Sequence, residues 1–267
     1  MTYESFEIKI LRNLKACYPT SDVSITTSKK CNGDKRGVII RQKGKTVAPI
    51  IYLEPLFQEF TAGKSFEDIL ETIINTYDQH RDASPDVDFL KDWSKVKDKV
   101  VCCLINSALN ADSLKERPHR ALEDLTIFYK VIVKDFGTAV ASIAVTGELT
   151  KTWGVSEAAL YDTAIQNMKA VSFTGFSGMY CVKANHYGAA AIVNPTVREA
   201  VWEEIGNYYI IPSSIHEVLV FPEDGIDPEE INNMIKEVNS DESCISKDEI
   251  LSDHAYYYSK ETGFISC

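Results

Sequence analysis

Long apolar runs are missing from this chain. The longest, Val100–Ile105 ("VVCCLI"), falls far short of the roughly 20 residues that cross a bilayer as a helix. The opening stretch "MTYESFEIKILRNLKACY" lacks the apolar block of a signal peptide, because acidic and polar residues interrupt it. A cytoplasmic protein with no membrane partner is therefore expected. Paired cysteine motifs are missing too. Cysteines stand at 17, 31, 102, 103, 181, 244 and 267, an odd number with no C-x-x-C. Adjacent Cys102 and Cys103 cannot both face one ligand set from a strand, so reduced, mostly buried thiols are expected. The histidines, at 80, 119, 186, 216 and 254, make no H-x-H, H-x-x-x-H or H-E-x-x-H. Neither "GDKRG" nor "GFSG" has the spacing of a phosphate loop, and no G-x-S-x-G is present. The sequence implies no cofactor and no metal.

What is present is ordinary globular material. The 267 residues are 45% hydrophobic and 25% charged, enough for one large domain or two small ones. The net charge of -11 is unevenly spread. Residues 29–45, "KKCNGDKRGVIIRQKGK", hold seven basic residues and one acid; residues 217–253 hold twelve acids and two lysines. The acidic balance repels nucleic acid, whereas a local basic hairpin could meet phosphate, an acidic partner or this chain's own acidic half. Its candidate contacts are Lys29, Lys30, Lys35, Arg36, Arg41, Lys43 and Lys45.

Periodicity supplies the elements. Phe6, Ile10, Leu14 and Cys17 recur at helical spacing from Tyr3. Three strands follow as a meander around "NGD", then a short helix from Pro55 to near Gly63. Ser65 caps a stronger helix through "SFED", with Phe66, Ile69, Leu70, Ile73, Ile74 and Tyr77 as its apolar stripe. "QHRDASPDVD" is the most polar connector and the best internal boundary. The expected organisation is an α/β-meander/α region over 1–82 and an α+β region with repeated hairpin-helix units over 83–267, or both as one continuous domain.

In the second region, "KVVCCLINSAL" reads as a buried strand, and "LTIFYKVIVKD" and "AVASIAV" as a hairpin about Phe136-Gly137-Thr138. One helix starts near Thr146; another runs from Ser156 through Val171, with Val155 and Leu160 as a hydrophobic staple. "GMYCVKA" and "GAAAIV" read as strands joined by "NHY". Asn194-Pro195 starts a helix that Gly206 ends. "NYYII" and "EVLVF" read as strands about "PSSIH". Asp227 caps a helix whose buried stripe is Ile231, Met234, Ile235 and Val238, and "YYY" at 256–258 closes a sheet edge. The fold class is α+β, with mainly antiparallel sheets built from β-hairpins and covered by helices. Strands over 178–193 and 208–221 share one sheet, with the helices at 195–205 and 228–238 on one face.

"SSIHE" is the densest cluster of reactive side chains. Ser214 and His216, two apart on a strand, share a face, and Glu217 follows; with Asn194 and Ser213 these are the candidate catalytic residues. The competing reading is a turn, since Pro212, Ser213 and Ser214 are turn formers between two apolar strands, with His216 starting the second.

"GAAAIVNPTVREAVWEEIGNYYIIPSSIHEVLVFPED", followed by "INNMIKEVNSDE" and "ILSDHAYYYS", resembles an uncharacterised family of gut Clostridia proteins, domain of unknown function 5688. "VTGELTKTWGVSEAALYDTAIQNM" and "RPHRALEDLTIFYKVIV" fit the same pattern, so the resemblance covers essentially the whole chain. A fainter similarity, through the W-G-V helix and the C-terminal strand-turn-strand, runs to domain of unknown function 1444. The resemblance implies no activity and transfers no catalytic residue. The favoured reading is a cytoplasmic protein-interaction or regulatory module whose partner is protein. An enzyme near Ser214 and His216 and a nucleic-acid-associated protein using the basic hairpin are the alternatives. The oligomeric state is not readable.

Overall fold

The computed structural model describes residues 1–45, 48–81, 88–135, 140–168, 171–176 and 178–267. The chain divides into two compact units, Met1–Asp86 and Val87–Cys267. Most of the polar connector and the turn expected at 136–138 lie outside the described residues.

The first unit follows its periodicity. Helix α1 (Tyr3–Cys17) opens at Thr2, whose hydroxyl accepts the Ser5 amide, and buries Phe6, Ile10 and Leu14 completely. Strands β1 (Asp22–Lys30), β2 (Gly33–Arg41) and β3 (Ile50–Tyr52) form an antiparallel meander. At its first turn Asn32 takes φ 58°, a conformation asparagine tolerates better than most residues. Helices α2 (Glu54–Thr61) and α3 (Phe66–His80) complete the unit. Ser65 caps α3 by accepting the Asp68 amide. Val23, Val38 and Ile40 on one sheet face pack with Ile69, Ile73 and Tyr77 of α3 and the apolar stripe of α1.

The second unit begins with α4 (Trp93–Val96), then β4 (Val100–Asn106), α5 (Ala111–Leu114), β5 (His119–Leu122), β6 (Leu125–Asp135) and β7 (Val140–Ala144). Strand β6 pairs with β4 along one edge; along the other, its first half pairs with β5 and its second with β7. Helices α6 (Gly147–Trp153) and α7 (Glu157–Asn167) follow. Arg120 of β5 and Tyr129 of β6 both donate to Glu157, pinning the start of α7 to this sheet. Val155 and Leu160 share the main core, as a staple would place them. Helix α7 stops earlier than its sequence suggests, and Val171 instead starts a strand.

A six-stranded antiparallel sheet makes the rest. Its strands are β8 (Val171–Phe176), β9 (Met179–Ala184), β10 (Tyr208–Ser214), β11 (Glu217–Pro222), β12 (Tyr256–Ser259) and β13 (Gly263–Ser266). Their order is β13-β12-β10-β11-β9-β8. The tyrosine strand β12 is therefore one place in from the edge, because β13 pairs outside it. Between β9 and helix α8 (Pro195–Ile205), "GAAAIV" is a 3-10 helix rather than a strand, and all of Gly188–Val193 is buried. A short apolar run fits either state, and here alanines allow the close approach that a buried helix needs.

Helix α8 and helix α9 (Pro228–Ser240) cover opposite faces of the six-stranded sheet, not one face as expected. Neighbouring Tyr208 and Tyr209 point opposite ways along β10. Tyr208 joins the main core with Val201 and Trp202 of α8, while Tyr209 packs with Phe221, Tyr257 and with Ile231 and Ile235 of α9. The stripe of α9 is also narrower than its spacing implies: Met234 is 58% exposed and Val238 44%.

Tyr129, Tyr208 and Tyr256 are at most 1% exposed, and burial is the main cause raising each phenol above its ordinary value. In the unfolded chain these groups ionise near pH 10, so above that pH the unfolded state releases protons that the folded state keeps. Each then lowers stability by up to about 1.4 kcal/mol per pH unit. Alkaline titration is expected to unfold this unit cooperatively above about pH 10, with the late phenolate absorbance rising together with loss of circular dichroism. Complete tyrosine ionisation with circular dichroism intact would contradict this.

Candidate functional site

The "SSIHE" segment is a two-residue connection clamped from both sides. Strand β10 runs on through Ser214, with a register shift between Ile211 and Ser214, and β11 starts at Glu217. Pro212, which offers no amide to a ladder, lies within the shift. His216 is in the turn itself, one residue short of the strand it was expected to start. Its amide donates to Ser214 Oγ at 3.0 Å, and its imidazole Nε2 lies 3.2 Å from Glu249 Oε1. The Ile215 amide donates to the Glu249 carbonyl, and the Ile215 carbonyl accepts from Ala189.

No hydrogen bond joins Ser214 to the imidazole among the described residues. Glu217 turns away to Lys183 at 3.6 Å and accepts the Cys181 thiol at 3.2 Å. Burial first, then that carboxylate, push the thiol upward, opposite to the tuning of a reactive cysteine. Asn194 caps α8 by accepting the Thr196 amide. Ser213 lies on β10. The candidate catalytic residues thus form no single constellation here.

The basic hairpin divides its charges between two sheet faces. Residues directly opposite in an antiparallel pair share a face. Arg36, opposite Thr27, lies on the face of Val23 and Val38, where its guanidinium forks onto the 6%-exposed Glu7 of α1 at 2.5 and 2.8 Å. Its amide also donates to Glu54. Lys29 shares that face, opposite Asp34, whereas Lys30, Lys35 and Arg41 occupy the other. The Lys30 ammonium lies 4.8 Å from the Tyr52 ring centre. Lys43 and Lys45 are exposed beyond the strand end. The seven cations do not make one patch, and Arg36 serves the fold.

A Ser/His/Asp cluster lies elsewhere and escaped the sequence reading. Asp124, in the β5–β6 turn, accepts from Tyr256 O–H at 2.6 Å and Ser252 O–H at 3.1 Å. Ser252 Oγ is 3.0 Å from His254 Nδ1, and His254 Nε2 is 3.4 Å from Asp124 Oδ1 without hydrogen-bond geometry. Ser252 is 2% exposed and donates to Asp124, as Tyr256 does, so these contacts tie the β12 approach to the other sheet. Ser252, His254 and Tyr256 are two apart, which was legible; Asp124, well over a hundred residues away, was not.

One open feature of this unit is apolar. Beside α9 a groove of about 230 Å³ is lined by Met179, Ile211, Phe221, Pro222, Ile226 and Met234, among others. Helix α9 lies over β10, β11 and β12, and strand alternation brings Leu219, Cys181 and Met179 to the same face farther along. Met179 there is 38% exposed, while Ile211, Leu219 and Cys181 are half-buried. Asp224 lines the groove, and exposed Glu230 and Glu237 flank Met234 at helical spacing.

Among the described residues, no helix is long and apolar enough to cross a membrane. No curated protein and no solved structure matches the chain. A model of a family of unknown function, DUF5688, matches residues 3–182 and 178–260. Together the two stretches take in both compact units, and the chain belongs to the DUF5688 family.

Proposed function

We propose that this protein is a cytoplasmic protein-interaction module whose groove beside α9 receives an amphipathic, basic helix of a partner protein. The observation that carries this reading is the apolar groove beside α9 with its acidic border. A helix seated 8–10 Å from α9 reaches about two strand spacings across, from β10 to β9. Its apolar side would meet Met179, Ile211 and Met234, and its cations Asp224, Glu230 and Glu237. The twelve acids and two lysines of residues 217–253 favour a basic partner over an acidic one. The cysteines stand as thiols, which supports a reducing compartment.

A labelled peptide of about 18 residues, with leucine on one helical face and lysine on the other, probes the groove by fluorescence anisotropy. Binding is expected, and Met234→Asp or Met179→Asp should weaken it about tenfold. Both side chains are exposed, so neither change should disturb folding. A glutamate version of the peptide should not bind. Equal affinity for parent and variants would refute the groove. Self-association abolished by Met234→Asp would give the groove to a second copy instead.

A further inference from the structure

The connection between β9 and the buried 3-10 helix carries side chains that reach strands β6 and β7. Tyr187 Oη accepts from Lys130 Nζ of β6 at 2.9 Å and shares a proton with Ser142 Oγ of β7 at 2.7 Å. The Lys130 ammonium stands 4.1 Å from the Tyr187 ring centre and 5.7 Å from that of Phe128. The Arg117 guanidinium is 5.6 Å from the same Phe128 ring. Next to Tyr187, His186 is 14% exposed at its side chain; Nε2 lies 3.6 Å from Asp135, and buried Nδ1 has no hydrogen-bond partner among the described residues. Strand β6 shifts register between Ile132 and Lys134, alongside this cluster, an irregularity that often borders binding sites.

Tyr187 also holds φ 49°. Glycine or asparagine would adopt that backbone at lower cost, so conformation does not call for tyrosine. The phenol does. With Lys130 donating to Tyr187, the Tyr187–Ser142 hydrogen bond uses one of the two hydroxyl protons and leaves the other for an acceptor outside the pair. In a protein of net charge -11, Lys130 meets a hydroxyl pair here, with Arg117 at the same Phe128 ring and His186, against Asp135, next in sequence to Tyr187.

We propose that Lys130, Ser142 and Tyr187 form an oxyanion-binding site, which takes the carboxylate or phosphate group of a small ligand. Lys130 supplies the charge, and the hydroxyl pair supplies a donor.

The test uses the full chain with carbon-13-labelled tyrosine. Sodium phosphate and sodium acetate are titrated separately against sodium chloride at matched ionic strength. The Tyr187 signal, assigned through Tyr187→Phe, should shift saturably with at least one of the two anions and not with chloride. Saturation by phosphate alone identifies a phosphorylated ligand; saturation by acetate alone identifies a carboxylate. Ser142→Ala should weaken that binding about tenfold, the loss of one good hydrogen bond, and Lys130→Met should abolish it. Thermal melts separate lost binding from lost folding. If Lys130→Met does not fold, Ser142→Ala decides. Shifts that merely follow chloride, or unchanged affinity in a folded variant, would overturn the site.

Discussion

Replacing Gly188 with alanine is expected to destabilise the second unit by about 3 kcal/mol or more, toward the upper end for overpacking. An added Cβ would stand 2.0 Å from the His216 carbonyl oxygen, 2.9 Å from Lys183 Cβ and 3.1 Å from the His216 carbonyl carbon. The first and last of these are backbone atoms, held by the Ser214 and Glu249 contacts, so they cannot swing aside as the end of a side chain could. The residue begins a fully buried 3-10 helix, and displacing it disturbs the main core directly. Gly147→Ala is the matched control. Its Cβ would meet only Glu116 O at an ordinary 3.6 Å, at the first position of α6. That change should stay within about 0.5 kcal/mol of neutral. A melting temperature for Gly188→Ala within a degree of the parent would mean the turn is not held as described; a drop of roughly 6–12 °C is expected.

Removing Asp124 should cost a similar amount for a different reason. Asp124→Ala leaves the hydroxyls of Tyr256 and Ser252, residues 1% and 2% exposed, without their common acceptor. Stranding buried donors costs about 1–3 kcal/mol for each, so a loss of about 3 kcal/mol in denaturant titration is expected. Tyr256→Phe removes one donor at its source. It should therefore be nearly harmless in the Asp124→Ala background and costly in the parent, giving a coupling of at least about 1 kcal/mol. Strict additivity of the two changes would show that the hydrogen bonds to Asp124 contribute nothing as a unit.

How far the sequence could be read follows from where each signal resides. Caps and turns are local, so Ser65, Thr146, Ser156, Asn194 and Asp227 all marked real helix starts. Strand β8 was missed because "VSFTGF" has a glycine within it and follows a helix with no glycine to end it. "GAAAIV" fits strand and helix equally, and only its burial decides between them. The opposite placement of α8 and α9 was in principle legible. Tyr208 and Tyr209 are both large and both buried, which requires cover on two sides. The apolar spacing of Met234 and Val238 could not reveal that their side faces open space, since periodicity reports direction around a helix and not what lies opposite. Arg36 looked like a surface charge because its partner, Glu7, belongs to another element.

The strand order β13-β12-β10-β11-β9-β8 contains three hairpins laid side by side, β8–β9, β10–β11 and β12–β13. Each closes through a short turn, so each can form within microseconds from neighbouring residues. Only the two seams between them, β9 with β11 and β10 with β12, require distant segments to meet. Those seams carry the loop-closure entropy of this sheet, and helices α8 and α9 are the segments that must be drawn in as they close. Slow steps in its assembly should therefore respond to substitutions along Val218–Val220 and Tyr256–Tyr258, while changes within the hairpin turns alter mainly the unfolding rate.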